Sequence, residues 1–320
     1  MARILSIGAA LQDIYLIDHD DFSPTTIGQE SILGKILVGS KIEIDRIAAG
    51  VGGGGVDAAV AFARHGHESI LFSNIGKDAA GEAVLRLLDK ENIDSSYLNC
   101  DSRAATGTSV ILLDSKSGKK TTLASLGAAK SLENFDVTDY DLIRPDWIYV
   151  TTLNGDFKTL ERIFVKAVAA NIKVMFAPGI KELTEPKKLI NLFKYLNILI
   201  VNKTEAASLV PGVMLAELLS RLNNYVETVI VTDGPMGGIA SNCIETFRFG
   251  IYEDVKVKDA TGAGDAFGAG FLAHFAAGKS FKSSLIFASA NATSVVSKIG
   301  ANTGTLKGNE SLHPMPIQKI

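Results

Sequence analysis

The sequence predicts an α/β protein in which a mostly parallel sheet is covered by helices on both faces and a small second sheet is attached. Short β-rich apolar runs alternate with longer segments whose apolar residues recur at three and four spacing. Parallel strands need crossover connections, and helices supply them, so this alternation selects a sheet buried on both sides. Glycine-rich stretches also lead into helices, and two regions switch to a period-two pattern that suits a separate sheet.

The first strand is read in "ARILSIG" near the start. Residues 35–47 alternate through Ile42, Glu43, Ile44 and Asp45, and a glycine run then opens a helix over 56–65, with Val56, Ala59, Val60 and Ala63 on one face. "SILFSNIG" at 69–76 is the next strand and 79–91 the next helix. Residues 108–127 read as a hairpin turning at Ser117 and Gly118. Strands follow at 147–152, 173–177, 197–202 and 228–234, with helices at 156–171, 186–195 and 214–224 between them. Two adjacent helices, 264–277 and 282–298, end the pattern. The chain is expected to form one domain over 1–320. Segments near 9–20, 35–50 and 97–127 are assigned to the small sheet, expected to cover a ligand cleft or to pair with another subunit, and 307–320 to a peripheral tail.

Composition narrows the function. The 32 basic and 35 acidic residues leave a net charge of −3, so no broad positive surface is available for a nucleic-acid backbone. No apolar run approaches the ~18 residues of a membrane span, and the two cysteines, Cys100 and Cys243, form no zinc or disulfide pattern. The expectation is a cytoplasmic enzyme acting on small molecules, without nucleic-acid or membrane partners. Five histidines, His19, His65, His67, His274 and His313, are scattered and read as surface or helix-end residues. No G-x-S-x-G elbow is present, which disfavours a hydrolase.

Four elements carry chemistry. In "DATGAGDAFGAGF" a helix with Phe267, Phe271 and Phe275 on one stripe starts near Gly264, and Asp265 sits in its first turn. First-turn amides have no intrahelical acceptor, so Thr261 to Asp265 forms a cradle for an oxyanion or phosphate. A carboxylate beside such a cradle makes sense if it accepts a proton from a hydroxyl attacking a bound phosphoryl group. The glycine run at 50–55 permits close backbone approach; it contains a G-x-G-x-x-G, but not after the first strand of a βαβ unit, so a dinucleotide site is disfavoured. Asn202 and Glu205, at the end of an apolar strand, either cap a helix or orient a hydrated magnesium ion. Thr232, Gly234 and Gly237 form a turn able to meet phosphate oxygens.

Together these elements resemble the ribokinase-like family, the phosphofructokinase-B type of carbohydrate kinases, over residues 3–305, with "DATGAGDAFGAGF" close to the family's D-T-x-G-A-G-D signature. The resemblance implies a three-layer α/β/α sandwich with a β-sheet lid. It implies ATP-dependent phosphotransfer to a hydroxyl of an unphosphorylated sugar of ribose, fructose or ketodeoxy type, with a nucleoside as the alternative acceptor. Asp265 would be the base, and the amides of Gly262, Ala263 and Gly264 the anion hole. Asp13, Gly53, Gly54 and Asp57 would bind the acceptor. Asn202, Thr232, Gly234, Gly237 and Asn291 would bind the nucleotide. Asn202 and Glu205 would position Mg2+ through water; Asp259, Thr261 and Gly300 would hold a monovalent cation such as K+; and lids would pair two copies into a homodimer.

This chain departs from the pattern in three ways. Asp57 replaces the usual asparagine and the glycine run lacks the lysine of members acting on sugar phosphates, both of which disfavour a phosphorylated acceptor. Ala260 stands for a threonine of the signature, and "FAPG" at 176–179 replaces an Asp- or Asn-containing N-P segment. A nicotinamide oxidoreductase and a non-catalytic sugar sensor are the competing classes; a sensor has no use for Asp265.

Overall fold

The computed structural model describes residues 1–17, 25–27, 30–32, 39, 41–44, 46–114, 116, 118–132 and 143–320, with the backbone alone for 25–27 and 30–32. Its strands are Arg3–Ile7 (β1), Leu11–Ile17 (β2), Thr25–Ile27 (β3), Glu30–Ile32 (β4), Arg46–Gly52 (β5), Glu68–Gly76 (β6), Leu98–Asp101 (β7), Thr106–Asp114 (β8), Lys119–Gly127 (β9), Trp147–Val150 (β10), Lys173–Phe176 (β11), Ile198–Asn202 (β12), Thr228–Thr232 (β13), Gly238–Ser241 (β14), Thr246–Phe249 (β15) and Ile317–Lys319 (β16). The helices among the described residues are Gly54–His65 (α1), Ala79–Lys90 (α2), Phe157–Ala169 (α3), Ile180–Leu183 (α4), Pro186–Leu192 (α5), Lys203–Leu209 (α6), Leu215–Leu222 (α7), Ala263–Ala276 (α8) and Phe281–Val296 (α9).

Ten strands form the main sheet in the order β16-β15-β14-β13-β12-β11-β10-β1-β6-β7. It is parallel from β7 through β13 and antiparallel beyond. Alternation along each strand builds two cores. Ile148 and Val150 of β10, with Leu199 and Val201 of β12, face Leu160, Phe164, Leu189 and Leu219 of α3, α5 and α7. Trp147, Tyr149, Ile198 and Ile200, one residue out of phase, face Phe62 of α1, Phe271 of α8 and Leu285 of α9. Side chains buried on both faces explain why these strands read as unbroken apolar runs.

A second sheet has the order β5-β2-β8-β9. Tyr15, Ile17, Ile111 and Leu113 form its buried inner face, while Ile47 and Leu123 remain 61% and 59% exposed. It lies over the carboxyl ends of the main strands and is the lid.

Three boundaries differ from the sequence expectation. Ile42, Glu43 and Ile44 lie outside any strand, Asp45 and 35–38 lie outside the described residues, and the lid strand begins instead at Arg46. Its seven residues, mostly small ones, pair with all seven positions of β2, so backbone pairing rather than side-chain period sets β5. Residues 98–101 belong to the edge of the main sheet, pairing in parallel with β6, and the lid starts at Thr106. The tail ends as β16, antiparallel to β15, with Met315 buried against the α8–α9 side of the core. The hairpin turn retains Gly118 at φ +70°, whereas Ser117 lies outside the described residues.

Candidate active site

The centre of the cleft is the start of α8. Gly262 caps the helix in the left-handed region, φ +73°, a conformation that glycine adopts without strain, and an added Cβ would come within 2.8 Å of the Ala301 side chain. The amides of Gly262, Gly264 and Asp265 meet no acceptor among the described residues, and that of Ala263 reaches the Ala260 carbonyl only at 3.5 Å. At Gly264 a Cβ would have nothing within 4 Å. The protein does not itself demand glycine there, so the small residue leaves space for something that is not protein. These unpaired donors and the positive helix end make an anion cradle.

Asp265 stands in that first turn, half-buried, and accepts no hydrogen bond from the described residues. Burial raises its pKa, opposed by the nearby positive charge of Lys120. A raised, unpartnered carboxylate next to open amide donors is poised to take a proton.

Two further carboxylates lie in the same cleft, Asp57 near Asp265 and Asp13 near Asp57. Asp13 of β2 is brought into the cleft by the lid, where its Oδ2 is 2.2 Å from the place a Cβ on Gly52 would occupy. Burial pushes its pKa up to about 6, against the lowering effects of a Ser109 hydrogen bond and of Lys120. Asp57, in the first turn of α1, accepts from Asn302 Nδ2 at 2.9 Å. Burial, and then the charge of Asp265, hold its pKa well above the usual carboxylate value. Gly53 (φ +100°) lets the chain turn into α1 where a Cβ would strike the Ala9 carbonyl oxygen at 2.5 Å; at Gly54 one would strike Thr151 at 2.9 Å.

The adjoining cavity of about 940 Å³ is lined by Ala263, Gly264, Thr232, Gly234, Gly237, the α8–α9 residues Phe267, Ser289 and Thr293, and lid residues Gly118 to Thr121. Thr232, Gly234 and Gly237 thus meet the cradle at one cavity. Asn291 does not line it: its Nδ2 donates to the Ala266 carbonyl at 2.7 Å and its Oδ1 accepts from the Leu306 amide at 2.8 Å. The amide belongs to the core, and Ala292 and Thr293 beside it take the cavity position.

Asn202 and Glu205 form a reciprocal capping box: Asn202 Oδ1 accepts from the Glu205 amide at 2.9 Å, and Glu205 Oε2 from the Asn202 amide at 2.8 Å. Glu205 Oε1 has no partner among the described residues; burial raises the pKa of this carboxyl, with the charge of Asp265 adding to the effect. Asp259, Thr261 and Gly300 come together directly, since Asp259 accepts from the Thr261 amide and hydroxyl and from the Gly300 amide at 3.1 Å.

Two site residues escaped the sequence reading. Asn302 reaches Asp57 from a loop 245 residues away. Lys120 Nζ donates to Thr261 Oγ1 at 2.7 Å, from the lid. The only local signal for Lys120 was the "GKK" after the hairpin turn. His65 and His274 lie at helix ends, as expected, but they are not scattered. His65 Nε2 lies 3.0 Å from His274 Nδ1, and His67 stacks on His65, so three of the five cluster inside the molecule. They form no metal site among the described residues.

A parallel sheet with its cleft at the strand carboxyl ends, a lid bearing one carboxylate and a glycine-lined cradle bearing another make a site that can bring an anion and a hydroxyl together. The profile of the pfkB family carbohydrate kinases matches residues 1–307, and the chain belongs to that family. It is 28% identical to ribokinase of Haemophilus influenzae over 296 residues, 87% of this chain and 90% of the relative. It is 27% identical to a nucleoside kinase of Methanocaldococcus jannaschii, covering 82% and 85% of the two chains. In fold it matches Arabidopsis thaliana ribokinase complexed with ribose and ATP, with a TM-score of 0.78 at 22% identity over 96% of each chain. Among the described residues no helix is long and apolar enough to cross a membrane.

Proposed function

We propose that the protein transfers the γ-phosphoryl group of ATP to a hydroxyl of an unphosphorylated, ribose-like sugar in the cytoplasm. The unpartnered Asp265 carboxylate beside the open amides at Gly264 is the observation that carries this reading. The acceptor oxygen bonds to the γ-phosphorus while its proton passes to Asp265. The bond to the β,γ-bridging oxygen breaks, and ADP leaves with that electron pair. The amides of Gly262, Ala263 and Gly264 hold the migrating oxygens. Asp13 and Asp57, with Gly53 and Gly54 beneath, suit a polyol whose hydroxyls donate hydrogen bonds, and their charge disfavours an acceptor that already bears phosphate.

Thr232, Gly234 and Gly237 would receive the nucleotide, with Asn202 near its phosphates. The free Glu205 oxygen, with Asn202 beside it, fits a hydrated Mg2+, which would neutralise phosphate charge when bound. Asp259 retains acceptor capacity beyond its bonds to Thr261 and Gly300, which suits a monovalent cation such as K+. The exposed Ile47 and Leu123 on the outer lid face suit a second copy of the chain. Ile47→Lys would then shift the sedimentation coefficient to that of a monomer, and an unshifted boundary would remove the dimer.

The Methanocaldococcus relative supports one second reading, a nucleoside acceptor whose ribose meets the same carboxylates. The deciding measurement is ADP release with Mg-ATP across D-ribose, D-fructose, 2-keto-3-deoxygluconate and adenosine. Turnover is expected with a free pentose, adenosine turnover alone would select the second reading, and no turnover with any sugar or nucleoside would defeat both.

A further inference from the structure

We propose that Lys120, carried in by the lid, is a catalytic residue that touches the phosphoryl group in transit. This rests on the kinase reading and adds to it a cation that none of the glycine motifs contains. Three observations converge. By register, Lys120 of β9 stands opposite Leu113 of β8, itself opposite Ile17 of β2. Leu113 and Ile17 are buried on the inner lid face, and alternation therefore turns Lys120 toward the cleft. Its Nζ donates to Thr261 Oγ1 at 2.7 Å, one residue before the cap of α8. It also lines the cavity that Ala263 and Gly264 line.

The charge around Lys120 points the same way. Asp13, Asp57, Asp259 and Asp265 all act on it electrostatically, yet its one side-chain hydrogen bond among the described residues goes to a neutral hydroxyl. An ammonium group has three donors, so two remain for phosphate oxygens. A triphosphate entering beside four carboxylates needs a counter-charge, and Lys120 brings one half-buried beside the amide cradle. As the acceptor oxygen–phosphorus bond forms and the bridging bond breaks, negative charge grows on the leaving oxygen of ADP. Lys120 remains protonated throughout and offsets that charge, while the acceptor proton goes to Asp265. Because Lys120 belongs to the lid, its arrival depends on the lid being shut, which ties transfer to exclusion of water.

The test uses full-length wild-type, Lys120→Met and Lys120→Arg proteins. Calorimetric titrations with AMP-PNP and with ADP measure the preference for a third phosphate, and ADP release with the acceptors above gives kcat and KM. Lys120→Met is expected to lose the wild-type preference for AMP-PNP over ADP and to lower kcat by about 10²–10³-fold, with acceptor KM and melting temperature little changed. Lys120→Arg is expected to recover part of both losses. A Lys120→Met protein that keeps the triphosphate preference and kcat overturns the proposal. If no acceptor turns over, the binding preference alone decides; if Lys120→Met does not fold, Lys120→Gln replaces it. Wild-type protein that binds neither nucleotide defeats the kinase reading and this proposal with it, whereas wild-type binding with a silent Lys120 variant defeats only the role of Lys120.

Discussion

Two helices enter the cleft from glycine-rich turns, each with an aspartate in its first turn, and Gly264 of the second serves the opposite end from the glycines of the first, although Gly262 at its cap also packs against protein. At the start of α1, Cβ atoms on Gly53, Gly54 and Gly55 would collide with Ala9, Thr151 and Gly8, all parts of the same protein. At the start of α8, Gly264 has nothing to collide with. The aspartates divide likewise: Asp57 is tied to Asn302, and Asp265 is tied to nothing among the described residues. One helix start is built for packing and the other is open to a guest, so similar glycine strings in a sequence do not carry equal functional weight.

The largest expected effect sharpens this contrast. Asp265→Asn removes the proton acceptor and is expected to lower kcat by about 10²–10⁴-fold, the usual range for a general base, while ATP binding by calorimetry persists. Asp57→Asn keeps an oxygen able to accept from Asn302, so kcat should remain within about tenfold with the change falling on acceptor KM. Comparable kcat losses in the two variants would erase the distinction. Because burial raises the Asp265 pKa, the wild-type rate should fall, as the medium is acidified, at a pH above the ordinary carboxylate midpoint; the Asn variant should lack that limb.

A smaller effect concerns the glycines. Gly53→Ala places a Cβ against the Ala9 carbonyl at φ +100° and should cost about 1–3 kcal/mol of stability. Gly264→Ala meets no protein atom and exchanges glycine for the best helix former, so stability should hold or rise by up to about 1 kcal/mol, while nucleotide affinity falls. Denaturant melts and nucleotide titrations on the same pair of variants read both axes. A destabilised Gly264→Ala protein with unchanged nucleotide affinity would show that both glycines serve packing.

What the sequence made legible follows from how local each feature is. The longer helices and the central parallel strands were readable to within a few residues because their apolar periods are long and their faces are buried on both sides, whereas the parallel edge strand β7 was read as lid and the short helices α4 and α6 were given no range. The edge strands β14 to β16 were not, since they are three or four residues each and are defined by their partners. Asp265 and the cradle share one turn of one helix, so adjacency in sequence equals adjacency in space. Lys120 and Asn302 enter the site only through lid register and a distant loop, neither of which has a sequence period. Asn291 was assigned to the nucleotide only through the family resemblance, and one helical step of about 100° from Ala292 turns it from the cavity into the core.

The smallest effect lies where the two helices meet again, at their far ends. His65 closes α1 and His274 lies in the last turn of α8, their rings 3.0 Å apart between Nε2 and Nδ1. Burial, and then the charges that His67 and His274 would carry, push the His65 pKa down to about 4 from 6.5. The folded state therefore refuses a proton that the unfolded chain accepts, and stability must fall as pH drops from 6.5 toward 4 and level off below that. Asp13 acts in the opposite direction. Its carboxyl, raised from 3.8 to about 6, contributes a stability that is complete below 3.8 and declines as pH rises to 6. Melting temperatures of wild type and His65→Gln across pH 4 to 7 separate the two, because the His65 contribution disappears in the variant and that of Asp13 does not. A wild-type slope that survives unchanged in His65→Gln would mean that His65 does not set it, leaving His67 and His274, whose pKa values burial also lowers, as its source.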